Sequence, residues 1–466
     1  MSLRKIIFIT IALSLLLWVI ITFWILGKSK PPVSKSLSGS LNIWIIGDTT
    51  EWYETLTEGF HAYAPEYKNS PITFKKFSDY TSYQKILLST LADGNGPDIF
   101  MVEAGADTIL RDKTESVPSE YIDIGDFEKR YDDLFFSLIE KSWSTQDYIA
   151  SSLRWIPLGY ETLGVFYNKS LVIDMAKTWD EVSLMYRDGQ SSEVFPTNIG
   201  LSQRYTPFAS DILGYFLLEE WISSYTQLDT SSVAIEKYLS FGESPVLPSE
   251  NTTENDANST GKSLIDMQES LSTSRLTTLD LFIRGKIAFV VWYPSMISAL
   301  EDAKKRAGSE YTNIVILTEK IPQDSPGSPA INIAKYKYFG LSKMSKNSML
   351  WVKFLNYLTT EDAQRKFITA FPHYIPAQRS FYESVSSTSL SSVFSQAKLD
   401  SFIPKLWETV LLFDYGNKWT FDEIFSDAID RIGKIDRNNI KNLIKSQISC
   451  EILETTAQTL PENCTP

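Results

Sequence analysis

Between residues 41 and 102 apolar and polar positions alternate in blocks that read as secondary structure. Leu41–Ile46 is a short apolar run of the kind that forms a buried strand. From Glu51 to Ala64, Trp52, Leu56, Phe60 and Tyr63 recur at helical spacing, and Pro65 stops the pattern. Ile72–Phe77 reads as a second strand. Tyr83, Ile86, Leu87 and Leu91 then line a helical face, ended by Asp93-Gly94-Asn95-Gly96-Pro97, and Asp98–Val102 reads as a third strand. Strand, helix, strand, helix, strand at this spacing predicts a parallel sheet with right-handed crossovers.

The pattern resumes after a polar stretch. Thr162–Tyr167 reads as a strand, and Thr178-Trp179-Asp180-Glu181 as a capping box that opens a helix. Phe208–Tyr225 and Leu264–Ile283 read as helices. Gly242–Ser263 between them is rich in Ser, Thr, Asn and Pro and is expected to be a surface loop or flexible insertion. Ile287–Trp292, Asn313–Leu317 and Tyr336–Leu341 read as strands. Helices are expected after Trp292 to Lys305, over Met349–Leu358 and Glu361–Phe371, and again over Phe402–Leu411 and Phe421–Ile432. The fold class is therefore α/β, with two sheet-containing halves and a helical C-terminal part.

The N-terminus departs from this pattern. Ile6 to Leu26 is 21 residues without a charge, and at ~1.5 Å per residue it spans the ~30 Å hydrocarbon core of a bilayer. The run exceeds the ~7–15 apolar residues of a secretory signal, so it is expected to remain as an uncleaved signal-anchor over residues 1–27. The alternative is a cleaved signal with its site near Ser36-Leu37-Ser38. Residues 28–40, rich in Ser, Lys and Pro, read as a tether. No Cys lies near the segment, which excludes a lipid-anchored N-terminus.

Charge supports the division. The 466 residues carry a net charge of −13, yet residues 1–38 hold Arg4, Lys5, Lys28, Lys30, Lys35 and no acid, so the body carries −18. An acidic body argues against nucleic-acid binding, which needs a basic face. Two Cys and two His make Cys-rich zinc sites and His-based triads poor expectations, and no metal or cofactor is predicted. No Gly-x-Ser-x-Gly, His-Glu-x-x-His or phosphate-loop motif occurs, so no enzymatic activity is expected. Both cysteines, Cys450 and Cys464, lie in the tail and are a candidate disulfide outside the cell.

Six stretches in order resemble the extracellular solute-binding proteins of ABC importers, in the branch that includes maltose-binding protein. They are Leu41 to Asp48; the run from Lys85 ending in Gly94-Asn95-Gly96-Pro97-Asp98-Ile99; Ile156 to Lys169; Lys177 to Glu181; Gly285 to Tyr293; and Thr360 to Phe367 followed by Ile375-Pro376-Ala377. The resemblance implies a two-lobed Venus-flytrap fold with interleaved lobes. Lobe I would hold residues 41–157 and 336–384, lobe II residues 162–332 and 385–445, with 242–263 inserted and 446–466 as a tail. It further implies a substrate-binding subunit, a monomer, that captures a sugar or oligosaccharide outside the cell. Closure near Pro157–Thr162 and Asn332–Tyr336 would bury the solute for delivery to permease subunits.

In open α/β sheets, ligands bind beyond the carboxyl ends of strands. The strand exits here carry Asp48, Thr49, Trp52 and Tyr53; Glu103 and Asp107; Tyr160 and Glu161; and Trp292, Tyr293 and Ser295. Carboxylates accept hydroxyl hydrogen bonds strongly, and flat rings cover the C–H faces of a sugar. By resemblance, Asp48 and Glu161 match sugar-hydroxyl positions, Trp292 falls near an aromatic platform, and Tyr205 and Tyr374 belong to segments that line the cleft. Trp44 reads as core, Trp52 and Tyr53 as either core or cleft, and Asp98 as a turn acid. A polyamine ligand, a membrane-tethered sensor and, less favoured, a carbohydrate-active enzyme with Glu103 and Glu161 as its acids remain as alternatives.

Overall fold

The computed structural model describes residues 39–47, 50–78, 80–103, 110–143, 149–188, 194–197, 277–311, 313–323, 331–346, 348–381, 396–402 and 409–412, with residues 439, 442 and 446 singly. Thr50–Tyr63 (α1) and Tyr80–Ala92 (α2) connect three strands, Leu41–Ile46 (β1), Ile72–Phe77 (β2) and Ile99–Glu103 (β3). β1 pairs in parallel with both β2 and β3, as the block pattern predicts. Trp52, Leu56 and Phe60 of α1 and Tyr83, Leu87 and Leu91 of α2 are buried, whereas Ile86 stands 41% exposed, off the packed stripe. Asp98 is a structural acid, though it bonds across the fold and not within its turn: its two oxygens accept from the Asn42 N–H at 2.9 Å and the Ser345 hydroxyl at 2.6 Å.

Thr114–Glu115 (β4) and Val117–Pro118 (β5) lead to the short helix Ile124–Arg130 (α3). Ile139–Trp143 (β6) and Ile149–Leu153 (β7) follow. β5, β7 and β6 form a small antiparallel sheet that the hydrophobic pattern does not announce. Trp155–Thr162 (β8) is buried at all eight positions, and only Leu163 separates it from Gly164–Asn168 (β9). The expected strand over Thr162–Tyr167 is thus the junction of two strands in two different sheets.

The capping box forms as expected: the Glu181 N–H donates to Thr178 Oγ1 and the Thr178 N–H to Glu181 Oε2, opening Trp179–Asp188 (α4). Phe195–Thr197 (β10), Thr278–Ile283 (α5), Ile287–Trp292 (β11), Ile297–Ala307 (α6) and Ile316–Lys320 (β12) complete the second region. Its sheet has the order β10-β11-β9-β12. Ile331–Ser342 (β13) is longer than Tyr336–Leu341. It precedes Ser348–Leu358 (α7), Glu361–Ala370 (α8) and Ile375–Pro376 (β14). The first, eight-stranded sheet runs β14-β8-β13-β3-β1-β2, with β4 and Thr409–Leu412 (β15) also on β13.

β15 corrects one expectation. Phe402–Leu411, read as a helix, is a 3₁₀ turn over Leu399–Phe402 and, at 409–412, a strand parallel to the start of β13. Thr409-Val410-Leu411-Leu412 is a run of β-formers, and a waiting sheet edge overrides the apolar spacing. β15 lies within the stretch assigned to lobe II yet pairs in the first sheet.

Three chain segments meet where the sheets join. Asn332 Nδ2 donates to the Leu163 carbonyl and the Thr162 hydroxyl to the Phe402 carbonyl, both at 2.7 Å. Gly164 is required here, because a Cβ would stand 2.2 Å from the Phe402 ring. Among the described residues no helix is long and apolar enough to cross a membrane, and the Ile6–Leu26 segment lies outside them.

Candidate functional site

Strand directions converge on one place. β8 and β3 both run antiparallel to β13, and β1 runs parallel to β3, so the carboxyl ends of β1, β3 and β8 gather near the beginning of β13. In the second sheet β11 runs antiparallel to β9, with Trp292 opposite Gly164. The carboxyl end of β11 therefore abuts the end of β8, one residue away through Leu163.

Glu161, the penultimate residue of β8, is 0% exposed. Its Oε1 accepts from the backbone N–H of Ser295, in the turn just after β11, so the carboxylate ties one sheet region to the other. Its Oε2 is buried and has no hydrogen-bond partner among the described residues. Burial pushes the carboxyl above its usual range. Lys335, the Ser295 donors and Lys337 pull it down without cancelling the burial.

The two lysines come from β13, in the alternating run Ala334-Lys335-Tyr336-Lys337-Tyr338. Lys335 stands opposite Glu161, and Lys337 opposite Gly159 on one side and Glu103 on the other. Directly opposed residues share a sheet face. The Lys335 ammonium lies 5.8 Å from the centre of the Tyr293 ring. That of Lys337 lies 5.1 Å from the Tyr374 ring and 5.7 Å from the Phe371 ring. Neither lysine figures among the sequence-derived candidates. Two charges at alternate positions of an otherwise apolar strand were the available signal, since a charge in a buried strand needs a polar site to face.

The candidates divide accordingly. Glu161, Tyr293 and Tyr374 are brought together around Lys335 and Lys337. Trp292, 3% exposed, ends β11 beside them. Glu103 ends β3 across from Lys337, its backbone alone being described. Tyr160 alternates to the opposite face of β8, where it packs edge-on against Phe135 at 5.6 Å. Trp52 is 2% exposed and packs on Tyr53, Phe339, Phe367 and Phe371, one ring behind the Lys337 group. Trp44 is buried under the Lys75 ammonium at 4.1 Å. Asp48, Thr49 and Tyr205 lie outside the described residues, as do Cys450 and Cys464.

No group of three or more His, Cys, Asp or Glu side chains that could hold a metal gathers among the described residues. A hollow of about 230 Å³ bordered by Tyr63, Asp126, Arg130 and Thr360 lies elsewhere, between α1, α3 and α7.

The family model of bacterial extracellular solute-binding proteins matches residues 60–394, most of the chain. The chain belongs to that family. Two solved structures share the fold of this solute-binding protein. One is an ABC substrate-binding protein of Listeria monocytogenes in complex with cycloalternan. It is 12% identical, has a TM-score of 0.61, and the match covers 91% of this chain and all of that one. The second comes from work on xylan utilization by the thermophilic bacterium Caldanaerobius polysaccharolyticus. It is 14% identical with a TM-score of 0.58, and the match covers 88% and 99% of the two chains. Among curated proteins no sequence match is found.

Proposed function

We propose that this solute-binding protein captures a sugar or oligosaccharide outside the cell, between two lobes built on its two larger sheets, and delivers it to the permease of an ABC importer. The observation that carries the reading is Glu161. A buried carboxylate oxygen without a donor is costly, and a solute hydroxyl supplies the missing bond. Tyr293, Tyr374 and Trp292 border the same place and suit the apolar faces of a sugar ring. Asp48, Thr49, Glu103 and Tyr205 would add further polar and aromatic contacts. The cycloalternan complex of the Listeria relative agrees with a saccharide ligand.

Lys335 and Lys337 weigh against a polyamine, since two ammonium groups at the cleft floor repel a polycation. Closure would bend the segments around Leu163 and Asn332, and the solute favours the closed form only by binding it more tightly. The protein would act as a monomer held at the membrane by Ile6–Leu26, without turning its solute over.

The test is the melting temperature of the full chain in detergent with maltooligosaccharides, xylooligosaccharides, cyclic glucans and spermidine. A ligand selective for the folded state raises it. A rise with one saccharide class and none with spermidine is expected. A rise with spermidine alone, or hydrolysis of any saccharide, overturns the reading.

A further inference from the structure

We infer that Lys335 is a positioning residue, holding the Glu161 carboxylate as the acceptor that the solute's hydroxyl meets. The inference rests on the sugar-capture reading for the identity of the solute, and on geometry for the rest. Lys335 and Glu161 oppose one another on β13 and β8, which brings their Cβ atoms to about 5 Å on one face. At its far end the lysine's ammonium lies 5.8 Å from the centre of the Tyr293 ring. Tyr293 and Ser295 arrive from the second sheet, so β8, β13 and the turn after β11 jointly set where the carboxylate points.

Among the described residues the charged and titratable groups around Glu161 are few. β13 contributes Lys335 and Lys337, and the turn after β11 contributes Tyr293 with the Ser295 N–H. β3 contributes Glu103, opposite Lys337, and Tyr374 precedes β14 beside Lys337. Burial works against the charged form of Glu161, and Lys335 is the foremost group working for it. The protonation state decides the chemistry. A carboxylate oxygen accepts a charge-assisted hydrogen bond, whereas a protonated carboxyl offers a donor and a weaker acceptor. A solute hydroxyl can donate to the first far better than to the second. Lys335 therefore acts on the solute through Glu161, and its influence has a pH signature that a merely structural lysine lacks.

Two readouts on the full chain test this. The first needs no solute: the infrared carboxyl band of Glu161, assigned by its disappearance in Glu161→Gln, is followed against pH. Lys335→Gln should move that titration to higher pH, and Lys335→Arg should return it toward wild type. The second is calorimetric affinity for the saccharide that raises the melting temperature. In Lys335→Gln it should fall by about tenfold for each pH unit below the variant's Glu161 titration point and recover above it, with Lys335→Arg close to wild type. An unmoved Glu161 titration in Lys335→Gln overturns the inference. So does an affinity loss that is equal at every pH. A titration that moves as expected while no saccharide binds at any pH upholds the role of Lys335 and refutes the sugar-capture reading instead.

Discussion

Two carboxylates on strands, Glu140 half-buried and Glu161 fully buried, show what separates a structural acid from a site. Glu140 lies on β6, where the small antiparallel sheet meets β4. Arg154 Nε donates to its Oε1 at 2.6 Å and the second guanidinium arm to its Oε2 at 2.8 Å. The Ser116 hydroxyl adds a third bond at 2.7 Å. The remaining arm of Arg154 donates to the Arg111 and Thr114 carbonyls, both at 3.0 Å. Burial alone would push Glu140 up, but Arg154 and Ser116 outweigh it and hold the carboxyl below its usual range. At Glu161 burial outweighs Lys335, Ser295 and Lys337, and one oxygen has no hydrogen-bond partner among the described residues. The first acid is closed by its own chain. Among the described residues the second is closed on one side only, at the junction of the two sheets.

The contrast can be broken by removing each carboxylate in turn. Glu161→Ala should weaken saccharide binding by about 1.5–3 kcal/mol, the range for a hydrogen bond to a charged group, measured by calorimetry. Equal affinity in the variant would remove Glu161 from the site. Glu140→Ala should leave affinity unchanged and lower stability by about 1–2 kcal/mol in denaturant unfolding, between the worth of exposed and fully buried ion pairs. A loss of affinity there would dissolve the distinction.

The two acids should also bend the stability–pH curve in opposite directions. Glu140, held low, contributes stability that is present above its unfolded pKa and is lost as pH falls through its folded one. Glu161, held high, binds its proton more tightly when folded. Stability therefore falls as pH rises from its unfolded pKa to its folded one, and Glu161→Gln gains on wild type across that window. Unfolding midpoints of wild type, Glu140→Gln and Glu161→Gln, followed from about pH 2 to about pH 8 so that the Glu140 window below the ordinary carboxylate range is included, should show the two slopes with opposite sign.

How far the sequence carries these distinctions depends on range. Local signals held: the β1-α1-β2-α2-β3 blocks, the Thr178–Glu181 capping box and the β11 strand match the structure because each rests on near neighbours in the chain. Long-range signals did not. β15 looks helical until β13 offers it an edge, and the strand read over Thr162–Tyr167 coincides largely with β9, while β8, which ends just before Leu163, carries no periodic signal of its own. At the candidate site Tyr293 stands at the exit of a strand that periodicity locates, whereas Glu161, near the end of a strand the pattern does not announce, follows from the resemblance. Lys335 and Lys337 carry a sequence signal as alternate charges in an apolar run, but what they face is visible only once β13 is known to lie between β3 and β8. Trp52 and Tyr160 show the limit from the other side, since a strand exit does not say which sheet face or helix stripe a ring takes.

The smallest expected effect sharpens that last point, because it compares the two faces at the first sheet's edge. Tyr374 and Tyr160 are both buried tyrosines near β14, and Tyr160 pairs directly with Ile375. Tyr374 keeps its ring beside the Lys337 ammonium, whereas Tyr160 packs against Phe135 on the far face. Replacing Tyr374 by Phe preserves the ring that the ammonium contacts and removes only the hydroxyl. Affinity should then fall by about 0.5–1 kcal/mol if that hydroxyl meets the solute, the net worth of a neutral hydrogen bond. Tyr160→Phe removes the same atom from the face turned away and should leave affinity within calorimetric error. A larger loss from Tyr160→Phe than from Tyr374→Phe would put the solute on the Phe135 side of the sheet, and with it would go the grouping of Glu161, Lys335 and Lys337 as one floor.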